Sequence, residues 1–456
     1  MCGIDAARSR LEEYCLPGKA WELFREHQAG ADRSDVLFRL GSVEATLARG
    51  QRGMNGNLHL PILNAAIPRS DSSKPLHVLT LTPFYPSEGD DSQGCFVSEP
   101  LNALSRVGVT STVLAVQPFY RKRLRAQKSG VEAEWTRHFS IPGNQGLATA
   151  GAFVFAQIVA RVREVQRTDA IDLIHAHGPL PCGHAALLLS GELGIPYVVS
   201  VHGLDAFSTE QVSGRAGEWC RRISQRVYRG SQRVICVSEQ VRERVLEGTG
   251  PSCRTSVVYN GVDPDLFSPL SESSTKGTIV LSVGNLLPIK GHGVLIRAVA
   301  SITAEFPELT LEVIGDGAEE TRLRALVERL QIGGRVRFLG RQQRQHVAEA
   351  MRRCTVFALP SKYEALGCVY LEAMATGKPV IGCRGQGIAE IIRHGSNGFL
   401  VGPDNEGELA LALGMLLRDE PRRCALGTAA RDTILDRLTL AQQAESFLRI
   451  YRECLR

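Results

Sequence analysis

The stretch TVFALPSKYEALGCVYLEAMATGKPVIGC, residues 355–383, decides the fold. It opens on a short apolar, β-branched run, TVFALP (355–360), and passes through a polar turn. A helix-forming segment begins near Gly367 or Cys368, and a second strand-like run, PVIGC (379–383), closes the stretch. Two short buried strands separated by one helix-length segment describe parallel strands joined by a crossover helix. The unit also carries two glutamates, Glu364 and Glu372, in an otherwise small and apolar setting, which fits neither a solvated salt-bridge face nor a metal cage.

The same alternation runs through most of the chain. From Leu76 onward the strand-like runs are HVLTLT (77–82), STVLAV (111–116), DLIHAH (172–177), YVVSV (197–201) and RVICVS (233–238). After the polar stretch LFSPLSESSTKG (266–277) the pattern restarts with TIVLSV (278–283), LTLEVIG (309–315), RVRFLG (335–340), TVFALP and PVIGC. The expected architecture is α/β, with two Rossmann-like, doubly wound domains facing across a cleft. The expected division is an N-terminal extension at 1–75, a first domain at 76–270, a second at 271–437 and a closing helix at 438–456. The extension contains helical pieces and then a loosely ordered tether, GNLHLPILNAAIPRSDSSKP, with no pattern that assigns it a role.

Composition bounds the function. The chain has 456 residues, 43% hydrophobic and 22% charged, with 45 glycines that suit many strand-to-helix turns. A net charge of +5 is too mild to point to nucleic acid. The 12 cysteines are scattered singly, without a CxxC pair, as expected of reduced, mostly buried thiols in a cytoplasmic protein. Residues 1–15 lack the apolar core of a secretory signal. The most apolar long stretch, GLATAGAFVFAQIVARV (146–162), is shorter than a membrane span of about 20 residues and reads as a buried or interfacial helix.

In open parallel sheets, ligands bind outside the carboxyl ends of the strands. The chemically unusual residues sit there: TPFYPSEGDDSQG after the first strand, HGLD after YVVSV, GNLLPIKG after TIVLSV and SKYEALG after TVFALP. The first amides of the helix after Gly367 have no internal partners and stand at the positive end of its dipole, so they suit a phosphate or diphosphate. Glu372, one turn further on, makes sense if its oxygens accept hydrogen bonds from the vicinal hydroxyls of a ribose on those phosphates. Glu364 would sit on the other side of the diphosphate, facing whatever the nucleotide carries. Lys290 supplies a matching cation, and His202 stands at a strand end beside a glycine that allows close approach.

Other patterns carry less. TGKP (376–379) lacks the first glycine of a phosphate loop, and IGDGAEE (314–320) lacks dinucleotide glycine spacing. DPD (263–265) reads as a turn at a domain edge, and the two histidines of HAH (175–177) lack a third zinc ligand. The basic run RKRLRAQK (121–128) reads as a solvated loop, or else as a contact with a phosphorylated acceptor or a peripheral contact with an anionic membrane at its inner face.

Together these motifs resemble the family-4 retaining glycosyltransferases of GT-B fold (glycosyl transferases group 1). The resemblance covers about residues 76–450. It is strongest in VVYNGVDPDLFSP, SVGNLLPIKGHGVLIRA, VIGDG, RVRFLG, LPSKYEALGCVYLEAMATGKPVI and GIAEIIRHGSNGFLV. It implies transfer of a hexose-type sugar from a nucleoside-diphosphate sugar to an acceptor hydroxyl in polysaccharide, glycolipid or glycoconjugate synthesis. The acceptor would be a sugar, a lipid-linked group or a small molecule. By the resemblance, His202 and Glu364 act at the transferred sugar, Glu372 holds the ribose, and Lys290 binds the diphosphate cradled by Gly367, Cys368 and Val369. Asp205 supports the His202 loop, and Gly94 belongs to the glycine-rich loop on the acceptor side. No metal or cofactor is implied. The family commonly has arginine where this chain has Asn285, which implies weaker donor binding. The alternatives are a non-catalytic nucleotide-sugar-binding subunit of the same fold, or a nucleotide-sugar epimerase.

Overall fold

The computed structural model describes residues 75–456 except 123, 125–129, 143–145, 209–211 and 271–276. The N-terminal extension, apart from residue 75, and most of the basic run 121–128 lie outside the described residues.

The first half is β1 (Leu76–Thr82), α1 (Cys95–Arg106), β2 (Val109–Pro118), β3 (Ala133–His138), α2 (Leu147–Thr168), β4 (Leu173–His177), α3 (His184–Leu193), β5 (Tyr197–Val201), α4 (Gly214–Gly230), β6 (Arg233–Cys236), α5 (Glu239–Thr249) and β7 (Thr255–Val257). Its seven strands form one parallel sheet in the order β3-β2-β1-β4-β5-β6-β7. The second half is β8 (Thr278–Val283), α6 (His292–Ile302), β9 (Leu309–Ile314), α7 (Glu320–Arg329), β10 (Val336–Phe338), α8 (Arg344–Arg353), β11 (Val356–Ala358), α9 (Cys368–Ala375), β12 (Val380–Cys383) and β13 (Phe399–Val401), followed by α10 (Glu406–Arg418), α11 (Glu420–Arg437) and α12 (Leu440–Cys454). Its six strands are also all parallel, in the order β10-β9-β8-β11-β12-β13.

Both sheets are covered on both faces, which is why their central strands read as continuous apolar runs. Leu79, Leu81, Ile174, Val198, Val199, Leu281, Val356 and Phe357 are fully buried. Each such side chain contributes about 1.5–3 kcal/mol relative to exposure. The apolar stretch at 146–162 falls in α2, whose Val154, Phe155, Ile158 and Val162 are buried against the first sheet's core. No helix among the described residues is long and apolar enough to cross a membrane.

Strand order reverses between β1 and β4 in the first sheet and between β8 and β11 in the second, creating a crevice at each carboxyl edge. The closing helix α12 does not stay with the second sheet. It starts at a capping box of Thr439 and Gln442, and Val262 bridges to Thr439. Its Ala444, Phe447, Ile450 and Tyr451 then pack beside Leu76, Val97 and Leu101 of the first domain. Two chain crossings therefore join the halves.

Candidate active site

The loops that follow β8 and β11 converge on the N-terminus of α9. Gly367 precedes that helix at φ +84, in the left-handed region, and a Cβ there would lie 2.8 Å from Glu364 Cγ and 2.6 Å from the Tyr370 ring. The first intrahelical amide is that of Tyr370, bonded to the Gly367 carbonyl at 3.1 Å, so the amides of Cys368 and Val369 precede the ladder. Cys368 is tied to the first domain, since its Sγ accepts from Asn260 Nδ2 at 3.1 Å.

Lys290 ends a short 3-10 turn, Pro288–Lys290, and the amide of Lys362 bonds the Ile289 carbonyl at 2.7 Å, fixing this turn to the 361–364 loop. The Lys290 ammonium donates to Glu364 Oε2 at 2.6 Å, with the two side chains 19% and 13% exposed. The sequence placed these residues on separate parts of a ligand; the structure pairs them directly, because two opposite half-buried charges in one crevice neutralise each other. Glu364 is positioned further by its amide, which donates to Gln386 Oε1 at 3.0 Å, and by Ser361 Oγ at 3.3 Å. Asn285 lies exposed just after β8.

Glu372 is buried on α9, 3% exposed. Its Oε1 accepts from Arg344 Nη1, and its Oε2 is buried with no hydrogen-bond partner among the described residues. Arg344 in turn donates from Nε and Nη2 to Glu99 on α1 of the first domain, at 2.9 and 3.0 Å, and stacks over the Phe267 ring at 4.9 Å. Burial raises the Glu99 carboxyl to about 7, against the pull of the Arg344 charge. Sequence reasoning named neither Arg344 nor Glu99.

Across the crevice, His202 follows β5 and its amide donates to Asp205 Oδ1 at 2.9 Å. Asp205 is raised to about 6 by burial, partly offset by backbone amides bonded to it. The His202 ring lies parallel to His177, with Nε2 3.1 Å from His177 Nδ1, and contacts Phe96 at a centroid distance of 4.8 Å. Burial lowers His202 to about 4, so the ring is neutral near pH 7, with one proton between the paired nitrogens. Gly94 starts α1 at φ +78, and a Cβ there would lie 2.5 Å from the Phe84 carbonyl carbon and 2.7 Å from Tyr85 Cα. That close approach folds the 83–94 loop back over the end of β1.

Burial also lowers His138, His175, His177, His184 and His292. Depressed imidazoles take up protons first in the unfolded chain, so stability falls as pH drops below about 6.5 toward the folded values. Glu99 and Asp205, raised in the fold, oppose this by two groups against six. The melting temperature is expected to fall by on the order of 10 °C between pH 7 and pH 5. An unchanged or higher value at pH 5, by differential scanning fluorimetry, would show that the histidines are not held neutral.

Two parallel, doubly wound domains that bring an open helix N-terminus, a lysine and unlike carboxylates to one crevice have the architecture of the GT-B glycosyltransferases. The chain belongs to the family-4, group 1 glycosyltransferases. Residues 267–433 match the family model "Glycosyl transferases group 1", and residues 96–266 match "Glycosyltransferase Family 4". An uncharacterized glycosyltransferase of Methanocaldococcus jannaschii is 30% identical over 271 residues, covering 59% of this chain and 72% of the relative. The N-acetyl-alpha-D-glucosaminyl L-malate synthase of Bacillus anthracis is 29% identical, covering 66% and 79%. D-inositol 3-phosphate glycosyltransferase of Corynebacterium jeikeium is 30% identical, covering 62% and 72%. Among solved structures, sucrose-phosphate synthase from Thermosynechococcus elongatus superposes with a TM-score of 0.70 at 22% identity, covering 83% of this chain and 98% of that one. Anabaena HepE in complex with UDP superposes with a TM-score of 0.63 at 22% identity, covering 82% and 99%.

Proposed function

We propose that this glycosyltransferase moves a hexose-type sugar from a nucleoside-diphosphate sugar to an acceptor hydroxyl with retention at the anomeric carbon, in polysaccharide, glycolipid or glycoconjugate synthesis. The observation that carries the reading is the pair of unlike carboxylates around the α9 N-terminus. Glu364 is neutralised by Lys290, while Glu372 is fixed by Arg344 with its Oε2 left for another donor. A nucleoside diphosphate meets both demands: its ribose hydroxyls donate to Glu372, and its phosphates take the Cys368 and Val369 amides and Lys290. The solved neighbour HepE, in complex with UDP and with UDP-glucose, supports that donor class.

In this reading the bond from the anomeric carbon to the diphosphate oxygen breaks as the acceptor oxygen bonds to the same face of that carbon. The acceptor proton passes to the leaving diphosphate oxygen. Lys290 and the helix amides stabilise the charge that develops there, and Glu364 holds sugar hydroxyls. Neutral His202, supported by Asp205, approaches the sugar from the first domain as a hydrogen-bonding group. Incubation with UDP-, GDP- and ADP-hexoses and a panel of hydroxyl acceptors should release nucleoside diphosphate and give a product with the donor's anomeric configuration, read by NMR. Inverted product would overturn retention, and nucleotide binding without turnover would favour a silent binding subunit.

Asn285 gives a further prediction. An amide there carries no charge toward the diphosphate, so Asn285→Arg is expected to tighten nucleotide binding by about tenfold, the scale of one charge-assisted hydrogen bond. An unchanged Kd by calorimetry would mean that this position does not face the phosphates.

A further inference from the structure

One group of contacts between the two domains joins two short segments. On the second domain these are residues 341–344; on the first they are the acids of the glycine-rich loop and α1. Arg341 pairs with Asp90 at 3.4 Å, as well as with Asp316 of its own domain at 2.8 Å. The amide of Arg344, first residue of α8, donates to Asp91 at 3.1 Å. Helix α8 has no side-chain cap from its own Gln343, so an aspartate of the other domain supplies one. The Arg344 guanidinium then holds Glu99 with two parallel bonds and Glu372 with a third.

We propose that Asp90, Asp91 and Glu99 on one side and residues 341–344 on the other form an interdomain clasp, pivoting on Arg344, through which nucleotide on Glu372 positions the acceptor loop. The inference rests on the donor reading above. Its physical basis is the planar fork of arginine, which fixes the direction of every acceptor it binds. Glu99 orients the guanidinium, the guanidinium holds Glu372 Oε1, and Oε2, buried and unpartnered among the described residues, is the acceptor left for a ribose. Any contact that makes the closed clasp present Glu372 better must, by linkage, make nucleotide stabilise the clasp by the same factor. The clasp also gives Asp90 and Asp91 cationic and amide partners, so that two bare carboxylates do not face a diphosphate across the crevice. Arg344 and Glu99 are positioning residues here, since they act through Glu372.

Hydrogen exchange on the full chain, with UDP, GDP and ADP added separately, tests this. In the wild type, the nucleotide that binds is expected to protect amides at 367–375 and also, across the crevice, at 87–99. In an Asp91→Asn, Glu99→Gln variant, protection at 367–375 should persist with affinity about tenfold weaker, while the change at 87–99 disappears. Protection at 367–375 in the variant itself reports a folded nucleotide site. Equal protection of 87–99 in wild type and variant would overturn the clasp, as would a wild type protected at 367–375 alone; both leave the donor reading standing. No protection at 367–375 by any of the three nucleotides would overturn the donor reading, and the coupling with it.

Discussion

Replacing Glu372 by alanine is expected to weaken nucleotide binding by about 100-fold. A carboxylate that accepts hydrogen bonds from both ribose hydroxyls is worth about 1.5–3 kcal/mol for each charge-assisted bond, so losing it costs two decades of affinity. The effect is read most directly as thermal stabilisation. At nucleotide concentrations near 100 times the wild-type Kd, the wild type gains about 2.7 kcal/mol and the variant a few tenths. The substitution spares the fold, because it removes one of two acids around one cation. Arg344 keeps Glu99 at 2.9 and 3.0 Å, and the buried, unpartnered Glu372 Oε2 is eliminated along with its desolvation penalty. Glu372→Gln separates packing from charge: the amide fills the same volume, so its nucleotide response should fall between wild type and alanine. A thermal shift of equal size in wild type and Glu372→Ala would remove Glu372 from the ribose.

Much of this was legible because parallel strands covered on both faces have no polar side to show. HVLTLT, YVVSV and TIVLSV stand out as short, mostly apolar and β-branched runs, and each is a central strand. Strand β3, AEWTRH, was missed because it lies at the sheet edge, where Glu134 faces solvent and alternation is lost. Strands β7 and β13 were missed as well, although β10 and β11 are equally short; those two were picked out within longer runs, RVRFLG and TVFALP. In the site, strand-end position brought Lys290, Glu364, Glu372 and His202 to notice. Arg344 was hidden in RQQRQHVAEAMRR, which reads as a solvated helix face, and its partner Glu99 lies 245 residues away. One signal was present: a cation at the first position of α8, which has no acid in its first turn, opposes the helix dipole unless carboxylates from elsewhere surround it. The course of α12 back to the first domain has no comparable local sign, since an amphipathic helix shows that it packs but not against what.

Lys290→Met is expected to lower kcat by about 10²- to 10³-fold while raising the donor KM much less, by under about tenfold. The asymmetry follows from where the charge develops. The Lys290 ammonium is paired with Glu364 at 2.6 Å, and on the proposed donor reading it is shared in the ground state with a diphosphate whose charge is already delocalised. As the anomeric bond breaks, negative charge concentrates on the leaving oxygen, and interactions that strengthen at that moment accelerate the step. Methionine keeps the apolar stem and removes the ammonium, leaving Glu364 as an unpaired carboxylate in a mostly buried setting. Some thermal stability should therefore be lost, short of the 3–5 kcal/mol of a fully buried pair. The double variant Lys290→Met, Glu364→Gln distinguishes the two roles of the lysine. Removing the stranded charge should restore most of the melting temperature, whereas turnover should stay at or below that of Lys290→Met. If the double variant instead regained activity in parallel with stability, Lys290 would be a neutraliser of Glu364 and would have no part in the departure of the diphosphate.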